Sequence, residues 1–264
     1  MADVNELIKV EREENGLATV TFNRPKSMNS MSQAMIIYLA EIFKSLSEDS
    51  NVRVIILTGA GRAFCAGVDL NAAQGVFQKN KFYDEEDPLI MMGRCKQPII
   101  GAINGYAITG AFELALACDI LIASTDAKFM DTHAKFGIFP SWGLSQKLSR
   151  LIGANRARHV SLSAMPIDAV TAERWGLVSQ VVPPGELMKT ARALAETILS
   201  HHGEMVQDYK AVIGDGLKLP LGEALLLEKG RARAKYKAMT PQDFENMQKF
   251  IAARSKPKQA PSKL

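Results

Sequence analysis

Over residues 99–123 the chain is almost unbroken apolar sequence, interrupted by Asn104, Glu113 and Asp119. A stretch this long invites a membrane helix, but three such polar groups would be costly in hydrocarbon. The segment therefore reads as the core of a soluble protein. It divides into a strand over 99–103, a glycine-bearing turn over 105–110, a helix over 111–118 and a strand over 120–124. Strands alternating with helices pair in parallel, which predicts an α/β core.

The flanks extend that pattern. Residues 7–11 and 17–22 alternate apolar and polar around Asn15-Gly16, a hairpin signature. Asn23-Arg24-Pro25 breaks the strand, and Ser32 is placed to cap a helix whose apolar residues repeat at 3.6 up to Glu48. A strand over 52–58 ends at Gly59, followed by a polar stretch to Asn71 and a charged loop over 79–87. Beyond Trp142 the pattern turns to helix upon helix (143–151, 154–163, 169–175, 185–200, 204–213, 221–239, 241–253), with one strand over 178–182. The expected organisation is a core over 1–200, a helical region over 201–253 and a tail over 254–264.

Composition narrows the functional classes. With 264 residues, 47% hydrophobic and 23% charged, the chain can bury a core without disulfides or a structural metal. Lys+Arg 32 against Asp+Glu 28 gives +4, too mild for a nucleic-acid partner. Cys65, Cys95 and Cys118 are odd in number and widely spaced, which argues against a disulfide framework or zinc and for a reducing compartment. The N-terminus has neither a basic segment nor an apolar core of signal-peptide length, so secretion is not indicated. Ser262-Lys263-Leu264 is the tripeptide read by the peroxisomal import receptor, and the Pro- and Lys-rich residues before it predict an exposed tail.

Two glycine-bearing segments stand out, 59–70 after one strand and 104–114 between a strand and a helix. The first is no dinucleotide fingerprint, because Phe64 occupies the position of the third glycine. Taken alone, both are tight turns. Two main-chain N–H groups from such loops can also converge on one developing oxyanion.

Together the segments resemble the crotonase (enoyl-CoA hydratase/isomerase) superfamily. Its first loop, phenylalanine, two small residues, glycine, any residue and aspartate, matches Phe64 to Asp69. Its second, N-G-x-A-x-G-G-G with an acidic residue opening an apolar helix and then C-D, is matched by Asn104, Gly105, Ala107, Gly110, Glu113, Cys118 and Asp119. The likeness continues in Phe22 to Pro25, Met28-Asn29, Trp175 to Val178 and Met247 to Arg254.

The resemblance implies a crotonase-like spiral of ββα units, with C-terminal helices that assemble trimers or dimers of trimers. It places an oxyanion hole at the N–H groups of Val68 and Gly110, and the CoA nucleotide near Lys26, Ser27, Met28, Ala66, Asp69 and Leu70. Glu113, one turn beyond Gly110 and without a basic neighbour over 111–117, is the first catalytic candidate. A carboxylate in apolar surroundings has a raised pKa suited to proton transfer. Where family hydratases carry a second glutamate, this chain has His133, with Asp131 two residues before it to orient or replace the imidazole. His201-His202 read as cations at a helix C-terminus, and Tyr83 falls in a region that often lines the family's acyl pocket.

The implied activity is hydration of trans-2-enoyl-CoA to 3-hydroxyacyl-CoA in peroxisomal fatty-acid β-oxidation. Val68 and Gly110 would polarise the thioester carbonyl, Glu113 would activate water, and His133 or Glu113 would protonate C2. No metal or redox cofactor is implied, and CoA enters with the substrate. Two other readings stand beside it: a different crotonase reaction (double-bond isomerisation, or hydration with retro-aldol cleavage) and a non-catalytic acyl-CoA binder.

Overall fold

Asn15 and Gly16 turn the chain between β1 (Ile8–Arg12) and β2 (Leu17–Phe22), which pair antiparallel with Ile8 opposite Phe22. The coordinates are a computed structural model, and the structure describes residues 4–77 and 84–254. Tyr83 and residues 255–264, with the Ser262-Lys263-Leu264 tripeptide, lie outside the described residues.

From β2 onward the first sheet is parallel. Counting strands in chain order, it continues through β3 (Val54–Gly59), β5 (Ile99–Ile103), β7 (Ile120–Ser124) and β10 (Gln180–Val182), in the order β1-β2-β3-β5-β7-β10. Ile55, Leu57, Ile99 and Ile103 pack into the larger core with Met35, Leu39 and Phe43 of α2 (Gln33–Glu48), whose N-terminus Ser32 caps by accepting the Met35 N–H. Val54, Ile56, Ile100 and Ile122 join a second cluster with Leu187, Ala191 and Ala195 of α10 (Leu187–Leu199). Burial on both faces explains why these strands read as continuous apolar runs.

A second sheet, β4 (Ala63–Cys65), β6 (Tyr106–Ile108), β8 (Lys128–Met130) and β9 (Ile167–Asp168), lies in that order, parallel except for β8 with β9. The sequence pattern predicts turn or loop at 60–71 and 105–110 and no strand near 167. The correction has a physical reason: strands of two or three residues are too short to show a period of two. They form because the longer strands of the first sheet bring these segments side by side.

The remaining helices are α1 (Val4–Leu7), α3 (Ala73–Phe77), α4 (Pro88–Arg94), α5 (Gly110–Ala115), α6 (His133–Phe136), α7 (Leu144–Ile152), α8 (Ala154–Ser163), α9 (Ala169–Arg174), α11 (Gly203–Gly216), α12 (Leu221–Ala238) and α13 (Pro241–Arg254). α5 stops short of the expected 118 because the Ala117 and Cys118 N–H groups bond three residues back, to Leu114 and Ala115. The chain divides into two compact units between Gln207 and Asp208, inside α11. In the second unit Asp208 pairs with Lys235 (2.7 Å) and Asp215 with Arg231 (2.6 Å), while α12 buries no side chain. Among the described residues no helix is long and apolar enough to cross a membrane, and none of the three cysteines is in a disulfide.

His201-His202 follow the C-terminal end of α10 as expected, with the His201 N–H donating to the Ile198 carbonyl (3.0 Å). They lie between α10 and α11, and the His202 Nδ1 accepts the Met205 N–H (3.4 Å) at the head of α11.

Candidate active site

The two glycine-bearing loops are joined side by side. The Asn104 amide donates to the Gly61 carbonyl (2.8 Å) and its oxygen accepts the Gly59 N–H (3.3 Å). A Cβ at Gly105 would lie 2.1 Å from the Arg62 carbonyl oxygen, so only glycine permits this approach. Further along, Gly67 adopts φ +87°, and a Cβ there would lie 2.7 Å from Ile108 O and 3.5 Å from Gly110 N.

Val68 and Gly110 are thus neighbours across the seam. The Met31 N–H donates to Gly67 O (2.8 Å), the Asp69 N–H to Met31 O (2.8 Å) and the Thr109 N–H to Met130 O (2.8 Å). Those bonds bracket the Val68 and Gly110 N–H groups, which have no protein acceptor among the described residues. Thr109 stands where the family pattern has its first glycine of three, at φ 53° and ψ −108°, a conformation where glycine is usual. Its hydroxyl bonds the Thr132 hydroxyl and accepts the Thr132 N–H (3.2 Å), which holds the strained residue.

The expected nucleotide-side residues gather beside this seam. Lys26 and Ser27 are exposed on the short turn Pro25–Ser27, and Met28 follows at φ 49°. The Ala66 N–H donates to the Met28 carbonyl (2.9 Å), and Leu70 is 71% exposed. Asp69 is turned to Arg24, whose guanidinium donates to its Oδ2 (3.3 Å). Hydrogen bonding from Asn71, against some burial, and the Arg24 guanidinium hold that carboxyl below the usual carboxylate range.

Glu113 is 2% exposed on α5. Its Oε1 accepts the N–H groups of Trp142 (2.9 Å) and Leu144 (3.1 Å), and its Oε2 lies 3.9 Å from His133 Nε2. Burial pushes its pKa up, against the Leu144 and Trp142 amides and the His133 charge, and the net direction is upward. His133, 6% exposed, opens α6, with its Nδ1 2.7 Å from Asp131 Oδ1. Burial lowers the imidazole pKa, but the Asp131 hydrogen bond and the charges of Glu113 and Asp131 outweigh it and raise the net value. Burial would raise Asp131, but hydrogen bonds from His133 and Ser161 hold it low. An ionised carboxylate only accepts, so Nδ1 donates and Nε2 faces Glu113.

The reading of Glu113 as lacking a basic neighbour holds only along α5. The fold delivers an imidazole from a segment twenty residues on. The Trp142 and Leu144 amides carry no side-chain signal in the sequence, whereas Thr109 leaves one, a threonine inside the glycine run. Arg24 was legible as a strand breaker and as part of the Phe22 to Pro25 likeness, with no role of its own. A groove of about 640 Å³ lined by Ile120, Ile122, Ser179, Gln180, Thr190 and Leu194 contains none of these groups. Among the described residues no group of three or more His, Cys, Asp or Glu side chains could hold a metal ion.

Known proteins share this arrangement of chain. A family profile described as Enoyl-CoA hydratase/isomerase matches residues 12–257. A relative from Arabidopsis thaliana, "Probable enoyl-CoA hydratase 1, peroxisomal", is 58% identical over 252 residues, 96% of this chain and 95% of that one. The solved enoyl-CoA hydratase from Bacillus anthracis superposes with a TM-score of 0.84 at 34% identity, covering 94% of this chain and 96% of that one. A monofunctional enoyl CoA isomerase from M. smegmatis matches with a TM-score of 0.72 at 35% identity, covering 83% and 98%. By profile, sequence and fold alike, the chain belongs to the enoyl-CoA hydratase/isomerase family.

Proposed function

We propose that the chain hydrates trans-2-enoyl-CoA to 3-hydroxyacyl-CoA, a step of peroxisomal fatty-acid β-oxidation. The observation that carries this reading is a buried Glu113 carboxylate held by two main-chain amides with an imidazole 3.9 Å away. The Val68 and Gly110 N–H groups grip the thioester oxygen, which makes C3 electrophilic and stabilises the enolate formed on attack. Glu113 takes a proton from a water molecule as the oxygen of that water bonds C3. The enolate collapses as C2 accepts a proton from His133, or from Glu113 returning the one it took. Asp131 holds the imidazole in register. The net change adds water across one double bond, so no redox partner is needed, and CoA enters with the substrate.

Lys26, Ser27, Met28, Ala66 and Leu70 form the CoA side of the site. Asp69 belongs to the same wall, but a carboxylate would repel CoA phosphates, and Arg24 neutralises it. The chain works as a homotrimer or a dimer of trimers. Leu217, Leu221, Leu226 and Tyr236 are all exposed, and a self-contact over the helical region would bury them. Import through Ser262-Lys263-Leu264 delivers it to peroxisomes, in keeping with the word "peroxisomal" in the Arabidopsis relative's name. Deleting that tripeptide should leave the protein in the cytosol.

Absorbance assays decide the reaction. Hydration removes the conjugated absorbance of a 2-enoyl-CoA, whereas isomerisation of a 3-enoyl-CoA creates it. Loss with the first substrate supports hydration; turnover of the second alone makes the protein an isomerase. The isomerase reading has its own motive, because histidine replaces the second glutamate and one shuttling carboxylate suffices for isomerisation. Binding without change to either substrate identifies a non-catalytic carrier.

A further inference from the structure

We propose that Arg24 and Asp69 form a clamp that positions the Val68 amide, and that Arg24 is a positioning residue for the reaction. The inference rests on the hydratase reading above. Among the described residues the Val68 N–H has no protein acceptor, so its placement depends on its neighbours. The Gly67 carbonyl and the Asp69 N–H are both bonded to Met31 (2.8 Å each), and the Ala66 N–H to Met28 O (2.9 Å). The oxyanion loop therefore hangs on residues 28–31.

That supporting segment is itself strained, with Met28 at φ 49° and Asn29 at φ 59°. Asn29, fully buried, accepts the Arg24 N–H (2.8 Å) and donates to Ala60 O (2.9 Å) and Ala63 O (2.7 Å). The Arg24 side chain spans the two layers. Its Nη1 donates to Ser30 O (2.5 Å) on the supporting segment, and Nη1 and Nη2 both reach Asp69 Oδ2 (3.3 Å each) on the oxyanion loop. The Ser30 hydroxyl donates to the same oxygen (3.4 Å). With side-chain exposures of 24% and 19%, the pair is shielded enough for its geometry to be held rather than averaged by solvent. One guanidinium thus fixes the residue next to Val68 against the segment 28–31 that supports the oxyanion loop.

The test compares wild type, Arg24→Met, Asp69→Asn and the double variant on trans-2-enoyl-CoA, with thermal melting alongside. A second readout is the absorbance of bound para-aminocinnamoyl-CoA, which moves to the red as its carbonyl is polarised. Each single variant should lose roughly ten- to hundredfold in kcat, less than the 10²–10³ of removing an oxyanion donor outright. KM should stay within about threefold, the red shift should shrink, and the double variant should be no worse than the poorer single. Native kcat and red shift in well-folded variants overturn the proposal, as do losses that multiply in the double. If Arg24→Met does not fold, Asp69→Asn, which keeps an oxygen for Asn71, carries the test. A wild type that red-shifts the bound chromophore without hydrating enoyl-CoA sinks the hydratase reading but not the clamp. Hydrating variants that match wild type sink the clamp alone.

Discussion

Strands β2 and β3 have six residues each and β5 and β7 five, whereas β4, β6 and β8 have three. The longer strands are sealed on both faces by two apolar clusters. The shorter ones open directly onto Gly67, Val68, Thr109, Gly110, Asp131 and His133. Side-chain burial, which is non-directional, holds the first sheet. Phe64, Cys65, Ala107 and Phe129 of the second sheet reach the larger cluster too, but around the site main-chain and polar bonds of fixed length set the geometry: Asn104 to Gly61, Thr109 to Thr132, Glu113 to Trp142 and Leu144. The difference predicts that damage to the first sheet is paid in stability and damage to the second in rate.

Glu113→Gln should give the largest effect, a fall in kcat of about 10²–10⁴-fold with the melting temperature retained or raised. Glutamine can still accept from Trp142 and Leu144 through its oxygen but cannot take a proton. A melting temperature that collapses with the rate would break the division between the sheets.

Ile56→Ala is the converse. Ile56 is fully buried in the cluster under α10. Its truncation should cost about 2–5 kcal/mol in denaturant unfolding, with kcat per folded molecule unchanged. A matching loss in kcat would show that the first sheet tunes the site.

Gly67→Ala sits on the boundary. Its φ of +87° and a Cβ 2.7 Å from Ile108 O force the two loops apart. Folding should weaken by about 1–3 kcal/mol, and kcat should fall by roughly tenfold or more because the Val68 amide shifts. Equal activity in a well-folded variant would show that the seam is not what sets the amides.

Asp131→Asn should give the smallest effect, visible in the pH profile. The Asp131 hydrogen bond and charge help hold the His133 pKa above its ordinary value, so the imidazolium persists above about pH 6.5. A raised pKa contributes stability that is complete below the ordinary value and lost as pH rises through the folded one. Removing Asp131 lowers that folded value. The alkaline limb of kcat should therefore move to lower pH, and the pH-dependent stability above neutrality should shrink. An unmoved limb means that His133 does not supply the proton to C2.

Long, strongly patterned elements were readable before any coordinates. The α2 helix and its Ser32 cap, the Asn15-Gly16 hairpin and the parallel strands through Ile99–Ile103 and Ile120–Ser124 follow from local chemistry. The short strands were not, because three residues give no period. Neither was the contact of His133 with Glu113, since no local rule links residues 113 and 133.

The amino-acid order by itself determined which residue types the site could use: two glycine-bearing turns, one carboxylate in an apolar helix, and a histidine where a second glutamate is expected. Tertiary structure decided what those residues are to one another. Only the pairing of β4, β6 and β8 lays the Gly67 turn against Gly110, and only the packing of α5 against the start of α7 supplies the amides that hold Glu113. Main-chain N–H groups are chemically the same at every residue but proline, so their convergence is a property of the folded path and leaves no trace in side-chain identity.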